Sequence, residues 1–286
     1  MTFSIVHISD PHFGGLADPA QVAAVEELVP DLEPRVVVLS GDLTQRARHG
    51  EFQAAKAFVR ELERTAPVLV MPGNHDVQWW WRPLIPFSRG AKYEKYVRYF
   101  GPVLSPGLSF PEAVLASALT SHGMAWGSLT YRLRDLAVKG HLPRREIDRV
   151  RRVFARAKPE QIRVLVVHHN VLRGELSQRM GLARWKRAQR RIVASGADVV
   201  LCGHDHQEAA DLLGEGVAVS CAGTLSTRSR GGRPSVFNRV AIDDESVQVE
   251  LYRWEAERRL FKRSDVHHFA RRRRADARKQ LAAQSG

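Results

Sequence analysis

The sequence predicts an α/β fold in which helices cover both faces of a largely parallel β-sheet. Short runs of β-branched and other apolar residues alternate with longer amphipathic segments, which is the pattern of repeated strand–helix units. The segment 35–40, for example, is apolar at the four successive positions 36–39, as expected of a strand buried on both faces. The composition agrees: 44% hydrophobic and 26% charged residues in a chain of 286 are ordinary for a globular protein, and they exclude a disordered chain, a collagen and a disulfide scaffold.

Strands and helices are predicted in alternation over the first two thirds of the chain. The first helix is expected to begin at Asp18-Pro19, because an aspartate N-cap followed by proline is a common helix start. In chain order, strands are predicted at residues 3–8, 35–40, 67–71, 162–167 and 198–202, and helices at 19–29, 51–64, 144–157 and 183–194. Further strands at 217–221, 235–242 and 247–254 are expected to close the domain.

We expect one domain over residues 1–265 and a basic C-terminal helix or tail over 266–286, since a chain of this length fits one large α/β unit. An aromatic and basic insertion interrupts the domain at residues 77–110, with Trp79-Trp80-Trp81 near its start. Three interpretations stay open for this insertion. It is a lid packed through residues at helical spacing, a pocket lining for an amphipathic or lipid-linked substrate, or a platform that stacks nucleobases.

The chain carries a formal net charge of +13, from 44 Lys and Arg against 31 Asp and Glu, which favours anionic partners. Phosphorylated small molecules or lipids, nucleic acid and an anionic membrane surface all fit this charge. The basic run that begins at Arg271 is expected to be a solvated tail or a weak peripheral contact to an anionic membrane, with nucleic acid less favoured. The basic series at residues 179–191 fits either a solvated helix face or an electrostatic funnel toward an anionic substrate.

The sequence does not predict export or membrane insertion. Its N-terminus has no basic start followed by an apolar run, and no stretch approaches the ~18 consecutive apolar residues of a spanning helix. Cys202 and Cys221 lie in predicted strands and are expected to be free core residues of a protein in a reducing compartment. We therefore expect a cytoplasmic protein, with peripheral association at the inner face of the membrane as an option.

Acidic, amide and imidazole side chains follow the predicted strands where each one ends. In chain order the groups are Asp10 and His12; Asp42; Asn74, His75 and Asp76; His168 and His169; and His204 and His206. Because ligands of open parallel sheets bind at the carboxyl ends of the strands, these groups are expected at one edge of one sheet. Asp10 and His12 are two residues apart, as are His204 and His206, so each pair is expected to project to one side of an extended segment.

Seven of these side chains are potential metal ligands, which is more than one catalytic ion uses. Carboxylate, amide and imidazole groups suit Mn²⁺, Fe²⁺ or Fe³⁺, Zn²⁺ or Co²⁺, and two ions that share a bridging carboxylate would use them all. Any single group could simply cap a loop, so their joint occurrence is what favours a metal site. His7 lies inside the first predicted strand and is expected to be a core residue rather than a ligand.

The motifs Asp-x-His, Gly-Asp, Gly-Asn-His-Asp, His-His and Gly-His-x-His occur in this order between Asp10 and His206. They resemble the motif set of the calcineurin-like metallophosphoesterases, and most of all the bacterial branch that contains the class III cyclic nucleotide phosphodiesterases. The segment that begins at Gly223 also resembles that branch. The resemblance implies a four-layer α/β/β/α sandwich with mixed sheets, and residues 1–265 would then form a metallophosphoesterase domain.

The resemblance also implies roles for individual residues. One metal would be held by Asp10, His12, Asp42 and His206, and the other by Asp42, Asn74, His168 and His204, with Asp42 as the bridge. His168 is preferred to His169 because the family's ligand is the first histidine of a His-x-Pro motif, although Asn170 replaces the proline here. His75 would contact the phosphoryl oxygen or protonate the leaving group, and Asp76 would orient it by a hydrogen bond. The expected substrate contacts are Asn74, His75, His169 and Arg228.

The function implied by the resemblance is a phosphoesterase that uses two divalent ions of Mn, Fe, Zn or Co. Its simplest form is a phosphodiesterase that attacks a cyclic-nucleotide-like diester with a metal-bridging hydroxide. Two other hydrolytic functions stay open: a pyrophosphate hydrolase acting on a membrane-associated or nucleotide-linked lipid, and a nuclease. The alternative without catalysis is a scaffold or a nucleic-acid-binding protein with a vestigial metal site.

Overall fold

The structure is a computed structural model that describes residues 2–77, 92–122, 139–214 and 216–271. The described helices are α1 (Pro19–Asp31), α2 (His49–Leu62), α3 (Glu94–Phe100), α4 (Arg144–Ala155) and α5 (Trp185–Val193). The described strands are β1 (Phe3–Ile8), β2 (Val36–Leu39), β3 (Val68–Val70), β4 (Gly107–Ser109), β5 (Ala113–Ser117), β6 (Ile162–His169), β7 (Val199–Gly203), β8 (Ala209–Leu213), β9 (Val217–Cys221), β10 (Val236–Ile242), β11 (Ser246–Glu255) and β12 (Leu260–Ala270).

The strands form two six-stranded mixed sheets. The first has the order β12-β11-β10-β1-β2-β3, in which β1, β2 and β3 are parallel and β10, β11 and β12 join antiparallel. The second has the order β4-β5-β6-β7-β9-β8, with a parallel centre and antiparallel edge strands β4 and β8. The alternation of strands and helices predicted one sheet, which is wrong in number, whereas the mixed sheets implied by the resemblance are confirmed.

The two sheets pack face to face, and helices cover the outer faces to give four layers, α/β/β/α. Strand β2 illustrates the packing: Val36 and Val38 lie in the core between the sheets, whereas Val37 and Leu39 lie in the core beneath α1 and α2. A third core beneath α4 and α5 contains Leu165 of β6. Burial on both faces explains why these strands are apolar at successive positions. The predicted α/β class and layer order are confirmed.

The predicted strands and helices agree with the structure to within two residues at each end, but four strands were not predicted. Three of these strands, β4, β5 and β8, have only three to five residues. The fourth, β12, has mostly exposed side chains and therefore no apolar stripe. Because β12 extends to Ala270, residues 266–270 belong to a strand, and the domain boundary expected at residue 265 falls inside it. Residues 272–286 of the expected tail lie outside the described part of the chain.

The described half of the aromatic insertion packs on the domain through α3. Tyr96 is fully buried, donates a 3.1 Å hydrogen bond to the carbonyl oxygen of Val70, and places its ring edge-on to Phe52 of α2. Tyr93 is the N-cap of this helix and Tyr96 lies within it, so the helical spacing expected in the insertion is that of a real helix. The tryptophans at 79–81 lie outside the described residues, and from residue 107 the predicted insertion is strand β4.

Two further sequence-based expectations concern the core and the membrane. Cys202 and Cys221 are buried, unbridged and paired in register on β7 and β9, as expected of core residues. Of the helices in the described ranges, none has both the length and the apolar character needed to cross a membrane.

Candidate metal centre

The predicted ligands meet at an edge that both sheets share. Asp10, Asp42 and Asn74 follow β1, β2 and β3 of the first sheet. His168 lies at the end of β6, and His204 and His206 follow β7, in the second sheet. The expectation of convergence at the edge of a single sheet is therefore corrected, because the cluster forms between two sheets.

One group of side chains consists of Asp10, His12, Asp42 and His206, all of them buried. The Nε2 atoms of His12 and His206 are 2.9 Å apart, and Asp10 Oδ1 lies 3.2 Å from His206 Nε2. Asp42 contributes Oδ2, which lies 3.9 Å from His12 Nε2. The four ligand atoms lie within 4.8 Å of one another, so a single ion could contact all of them.

A second group consists of Asp42, Asn74, His168 and His204. Asn74 Oδ1 lies 3.0 Å from His168 Nε2 and 2.9 Å from His204 Nδ1, and these two ring nitrogens are 3.3 Å apart. Asp42 Oδ1 lies 3.4 Å from His168 Nε2. Asp42 therefore turns one carboxylate oxygen toward each group, which is the geometry of a bridging ligand.

The donor atoms of both groups fit divalent cations. Asp10 Oδ1 and Asp42 Oδ2 are buried and accept no hydrogen bond from any described residue, which is costly for a carboxylate without a positive partner. The Nδ1 atom of His168 donates to the carbonyl oxygen of Ser40 at 2.9 Å, and that of His206 donates to the carbonyl oxygen of Arg228 at 2.8 Å. Because a carbonyl only accepts, the Nδ1 proton of each ring is committed, and only Nε2 can offer a lone pair to a metal in the centre.

The ionisation of the buried groups agrees with this fit. Burial lowers the pKa of His12 to about 3 and holds the pKa of His204 well below its usual range, so both rings are neutral at pH 7. Burial alone would raise the pKa of Asp42, but the charges of His168 and His75 hold it well below its usual range. Burial would lower the pKa of His168, but the carboxylate of Asp42 raises it to about 9. Without metal, the centre therefore contains the ionised carboxylate of Asp42, the neutral rings of His12 and His204, and a protonated His168 whose positive charge a bound cation would replace.

Five of the predicted ligands have left-handed backbone conformations, which are uncommon for residues other than glycine. They are Asp10 (φ 53°), His12 (φ 47°), Asp42 (φ 50°), His204 (φ 74°) and His206 (φ 54°). The expectation that Asp10/His12 and His204/His206 project from extended segments is therefore wrong. Hydrogen bonds hold the strained turns: Asp10 N donates to Gly41 O at 3.0 Å, and His12 N donates to Asp42 O at 3.1 Å.

Two glycines permit the close approach of the loops around the centre. A Cβ atom at Gly203 would overlap Ser9 Oγ and the carboxylate of Asp10, and one at Gly73 would overlap the backbone of Asp42. Neither glycine has a positive φ, so what each position requires is the absence of a side chain rather than conformational freedom.

His75 lies beside the metal ligands, and hydrogen bonds hold its backbone and its ring in place. Its backbone N–H donates to Asp42 Oδ1 at 2.7 Å, and its Nδ1 donates to the carbonyl oxygen of Gln45 at 2.8 Å. The other ring nitrogen, Nε2, lies 3.5 Å from Nη1 of the exposed Arg228. The ring centroid is 4.8 Å from that of His12. His75 Nε2 and Arg228 thus form one polar rim next to the ligand cluster.

Asp76 does not orient His75 as the resemblance implied. Its buried carboxylate accepts hydrogen bonds from the backbone N–H groups of Leu43, Thr44 and Gly73 and from Thr44 Oγ1. Burial, with the nearby charge of Asp42, raises the pKa of Asp76 to about 6. The residue joins the loops after β2 and β3, and Gln45 orients the ring of His75 instead.

His169 adjoins the second group: one of its ring nitrogens and one from each of His168 and His204 lie within 4.8 Å of one another. Its Nδ1 is 2.8 Å from Thr120 Oγ1, and its ring centroid is 4.4 Å from that of His204. His168 is the neighbour whose ring nitrogen approaches the bridging carboxylate. A substrate contact for His169 stays a prediction.

Several residues that support the centre were not predicted. Ser9 Oγ donates to Asp10 Oδ2 at 2.5 Å, and Thr224 Oγ1 donates to the carbonyl oxygen of Asp10 at 2.7 Å. The sequence could have indicated Ser9, because it is next to Asp10. It could not have indicated the backbone carbonyl groups of Ser40, Gln45 and Arg228, because every residue type has a carbonyl group. His7 is a buried core residue, as expected, between Ser40 and Ser220.

Comparisons with known proteins agree with this geometry. The family model of calcineurin-like phosphoesterases matches residues 3–208. No curated protein matches the chain.

Solved structures of phosphatases share the fold. A dimetal phosphatase from Danio rerio superposes with a TM-score of 0.65 at 12% identity, over 94% of this chain and 99% of that chain. A purple acid phosphatase from yellow lupin (Lupinus luteus) seeds gives a TM-score of 0.65 at 12% identity over 95% of this chain, which spans 54% of the lupin chain. PhoD gives 0.66 at 10% identity, over 95% of this chain and 70% of that chain. At such low identities, the likeness shows the fold.

Proposed function

The chain belongs to the calcineurin-like phosphoesterase family and is a metal-dependent phosphoester hydrolase, and we propose that its substrate is a phosphodiester of the cyclic-nucleotide type. The observation that carries this proposal is the position of Asp42 between two clusters of ligands, with His75 and Arg228 on the rim. Two divalent ions held there would lower the pKa of a water molecule and neutralise charge on the phosphoryl oxygens.

The role proposed for His75 is to protonate the leaving oxygen. Because its Nδ1 proton is committed to the carbonyl oxygen of Gln45, only Nε2 can exchange a proton with a substrate. Nε2 faces Arg228 at the rim, so a proton held there is next to the position of a bound phosphoryl group. General-acid catalysis of this kind contributes about 10²–10⁴-fold to a rate.

The charges at the rim favour a diester over a monoester. Three arginines lie in the loop after β9, but Arg230 forms an ion pair with Asp205 at 3.2 Å, and Arg233 forms one with Glu175 at 2.8 Å. Arg228 has no carboxylate partner among the residues that the structure describes. A single free arginine matches the one negative charge of a diester better than the two charges of a monoester.

The test compares one diester with its monoester. Metal-stripped protein is titrated with Mn²⁺, and the hydrolysis of bis-p-nitrophenyl phosphate and of p-nitrophenyl phosphate is measured. We expect metal-dependent turnover with a higher kcat/KM for the diester, and no turnover in Asp42→Asn. A higher kcat/KM for the monoester would contradict the substrate assignment while leaving the metal site intact.

A further inference from the structure

A basic cavity lies between helices α4 and α5, outside the candidate metal centre. Its volume is about 120 Å³, and its eight lining residues include His141, Arg144, Arg184, Arg187 and Arg191. One buried water occupies about 10–15 Å³ of such a cavity, so this one has room for a tetrahedral oxyanion. Several of its residues belong to the basic series at residues 179–191, which the sequence analysis interpreted as either a solvated helix face or an electrostatic funnel.

The positive charges around the cavity are only partly balanced. Arg144 Nε lies 3.5 Å from Asp148 Oδ2, and Arg191 Nη1 donates to the carbonyl oxygen of Leu142 at 3.2 Å. None of the eight lining residues is acidic. Burial lowers the pKa of Arg191 most, the charges of Arg187 and Arg144 lower it further, and the carboxylate of Asp148 opposes them only in part. An anion in the cavity would relieve this repulsion.

The backbone of α5 adds to the positive field. The helix begins beside the cavity, its N-cap Arg184 has no side-chain capping bond, and its first turn contains no acidic residue. The N-terminus of a helix favours negative charge. Arg187 and Arg191 are one turn apart on the face that lines the cavity, so their planar guanidinium groups can contact one oxyanion together.

The cavity adjoins the candidate metal centre through residues 140–141. Gly140 exchanges backbone hydrogen bonds with the segment before α5: its N–H donates to Gly181 O at 2.9 Å, and its carbonyl accepts from Ala183 N at 2.8 Å. A Cβ atom at Gly140 would overlap the ring of His169, so the backbone here lies directly on that ring. The next residue, His141, lines the cavity. His169 in turn packs on His204 of the second ligand group.

We propose that the cavity between α4 and α5 binds a phosphoryl group. Its source is either a second phosphate on the substrate or free inorganic phosphate, and the same arginines would serve for both. The first possibility rests on the proposed phosphodiesterase function and narrows the substrate to diesters that carry a further phosphate. The binding site itself does not depend on turnover.

Binding is tested on the full-length, metal-free protein by calorimetric titration with inorganic phosphate at constant ionic strength. Without metal, the two carboxylates of Asp10 and Asp42 disfavour an anion in the candidate metal centre. We expect phosphate to bind the wild type, and Arg187→Gln to weaken binding about tenfold, which is the loss expected for one charge-assisted contact.

Arg190→Gln is the matched control, because Arg190 is an exposed arginine of the same helix that does not line the cavity. Equal affinity in the wild type and Arg187→Gln, or no binding by the wild type at millimolar phosphate, would overturn the proposal.

The source of the phosphoryl group is tested by steady-state kinetics with the metal-loaded enzyme. The substrates are thymidine 5′-(p-nitrophenyl phosphate) and the same ester with an added 3′-phosphate. If the cavity holds a second substrate phosphate, Arg187→Gln raises KM selectively for the 3′-phosphorylated ester and leaves kcat unchanged. If it holds free phosphate, both esters respond equally, and Arg187→Gln needs about ten times more added phosphate than the wild type for the same change in both rates. Absence of turnover for both esters would count against the phosphodiesterase function, whereas the calorimetric result would stand.

Discussion

The carbonyl oxygen of Gln45 accepts a 2.8 Å hydrogen bond from Nδ1 of His75. This one contact determines which ring nitrogen is available to a substrate, because Nδ1 is committed and Nε2 faces the rim with Arg228. The family resemblance implied that the carboxylate of the next residue, Asp76, orients the ring. The backbone of the loop after β2 does so instead.

The His75→Ala variant is expected to retain both metal ions and to lose about 10²–10⁴-fold in kcat, since His75 donates a proton rather than binding metal. The loss should be smaller for a p-nitrophenolate leaving group than for an alkoxide, because the better leaving group needs less protonation. Bound metal is measured by atomic emission, and kcat is measured with both kinds of ester. His267→Ala, on β12, is the control. Loss of metal from His75→Ala would place His75 among the ligands.

The Asp42→Asn variant is expected to lose turnover and to bind fewer metal ions than the wild type. The reason is that Asp42 Oδ1 and Oδ2 face different ligand groups, and an amide has one oxygen and no charge to share between two cations. Metal content per chain and turnover of bis-p-nitrophenyl phosphate are the measurements. A variant that retained two ions and full activity would show that Asp42 is not the bridge.

The Asp76→Asn variant is expected to be less stable by about 2–3 kcal/mol, since an amide oxygen cannot replace a carboxylate that accepts four hydrogen bonds. Chemical unfolding of the metal-free protein measures this loss. At saturating metal, the pH dependence of kcat should match that of the wild type, because Asp76 does not touch the ring of His75. A shifted pH profile with unchanged stability would restore the role that the resemblance implied.

The stability of the metal-free protein is expected to fall as the pH decreases from about 6.5 toward 3, in part through His7. Burial lowers the pKa of His7 to about 3, whereas in the unfolded chain it is 6.5. Between these values the unfolded state binds the extra proton, so this contribution is complete above pH 6.5 and is lost as the pH falls through the folded pKa. Its size is on the order of a few kcal/mol.

The measurement is the unfolding free energy of the wild type and His7→Gln at several pH values between 3 and 7. The variant should show a smaller slope because glutamine does not titrate, even if its stability at pH 7 is lower. His267→Gln is the control because that side chain is only partly buried, on the edge strand β12. Parallel slopes in the wild type and His7→Gln would contradict the assignment of this acid sensitivity to His7.

Much of this architecture could be predicted because the physical signals are local. Residues 35–40 are apolar on both faces, and the polar side chains of the centre follow directly after strands, so the strands and the ligands were both identified. The pairing of strands could not be predicted in this way. Strand β10 pairs with β1 although the two are more than 200 residues apart in the chain, and the alternation of strands and helices does not indicate which distant strands pair.

The contacts that orient the side chains of the candidate site could not be predicted from the sequence, for a different reason. Ser40, Gln45 and Arg228 orient the rings of His168, His75 and His206 through backbone carbonyl groups. These contacts depend on where the loops lie, and the side chains of the three residues give no sign of them. The left-handed conformations at Asp10 and His12 were hidden in the same way, because non-glycine residues seldom adopt them.

The shared edge of the two sheets has a consequence for protein abundance. Asp10, Asp42 and Asn74 come from one sheet, whereas His168, His204 and His206 come from the other, so ions bound between them would be coordinate crosslinks across the sandwich. A ligand that binds only the folded state raises its population by mass action. The melting temperature of the whole domain would then rise with the free concentration of divalent metal, and metal depletion would lower both the activity and the folded fraction of the protein.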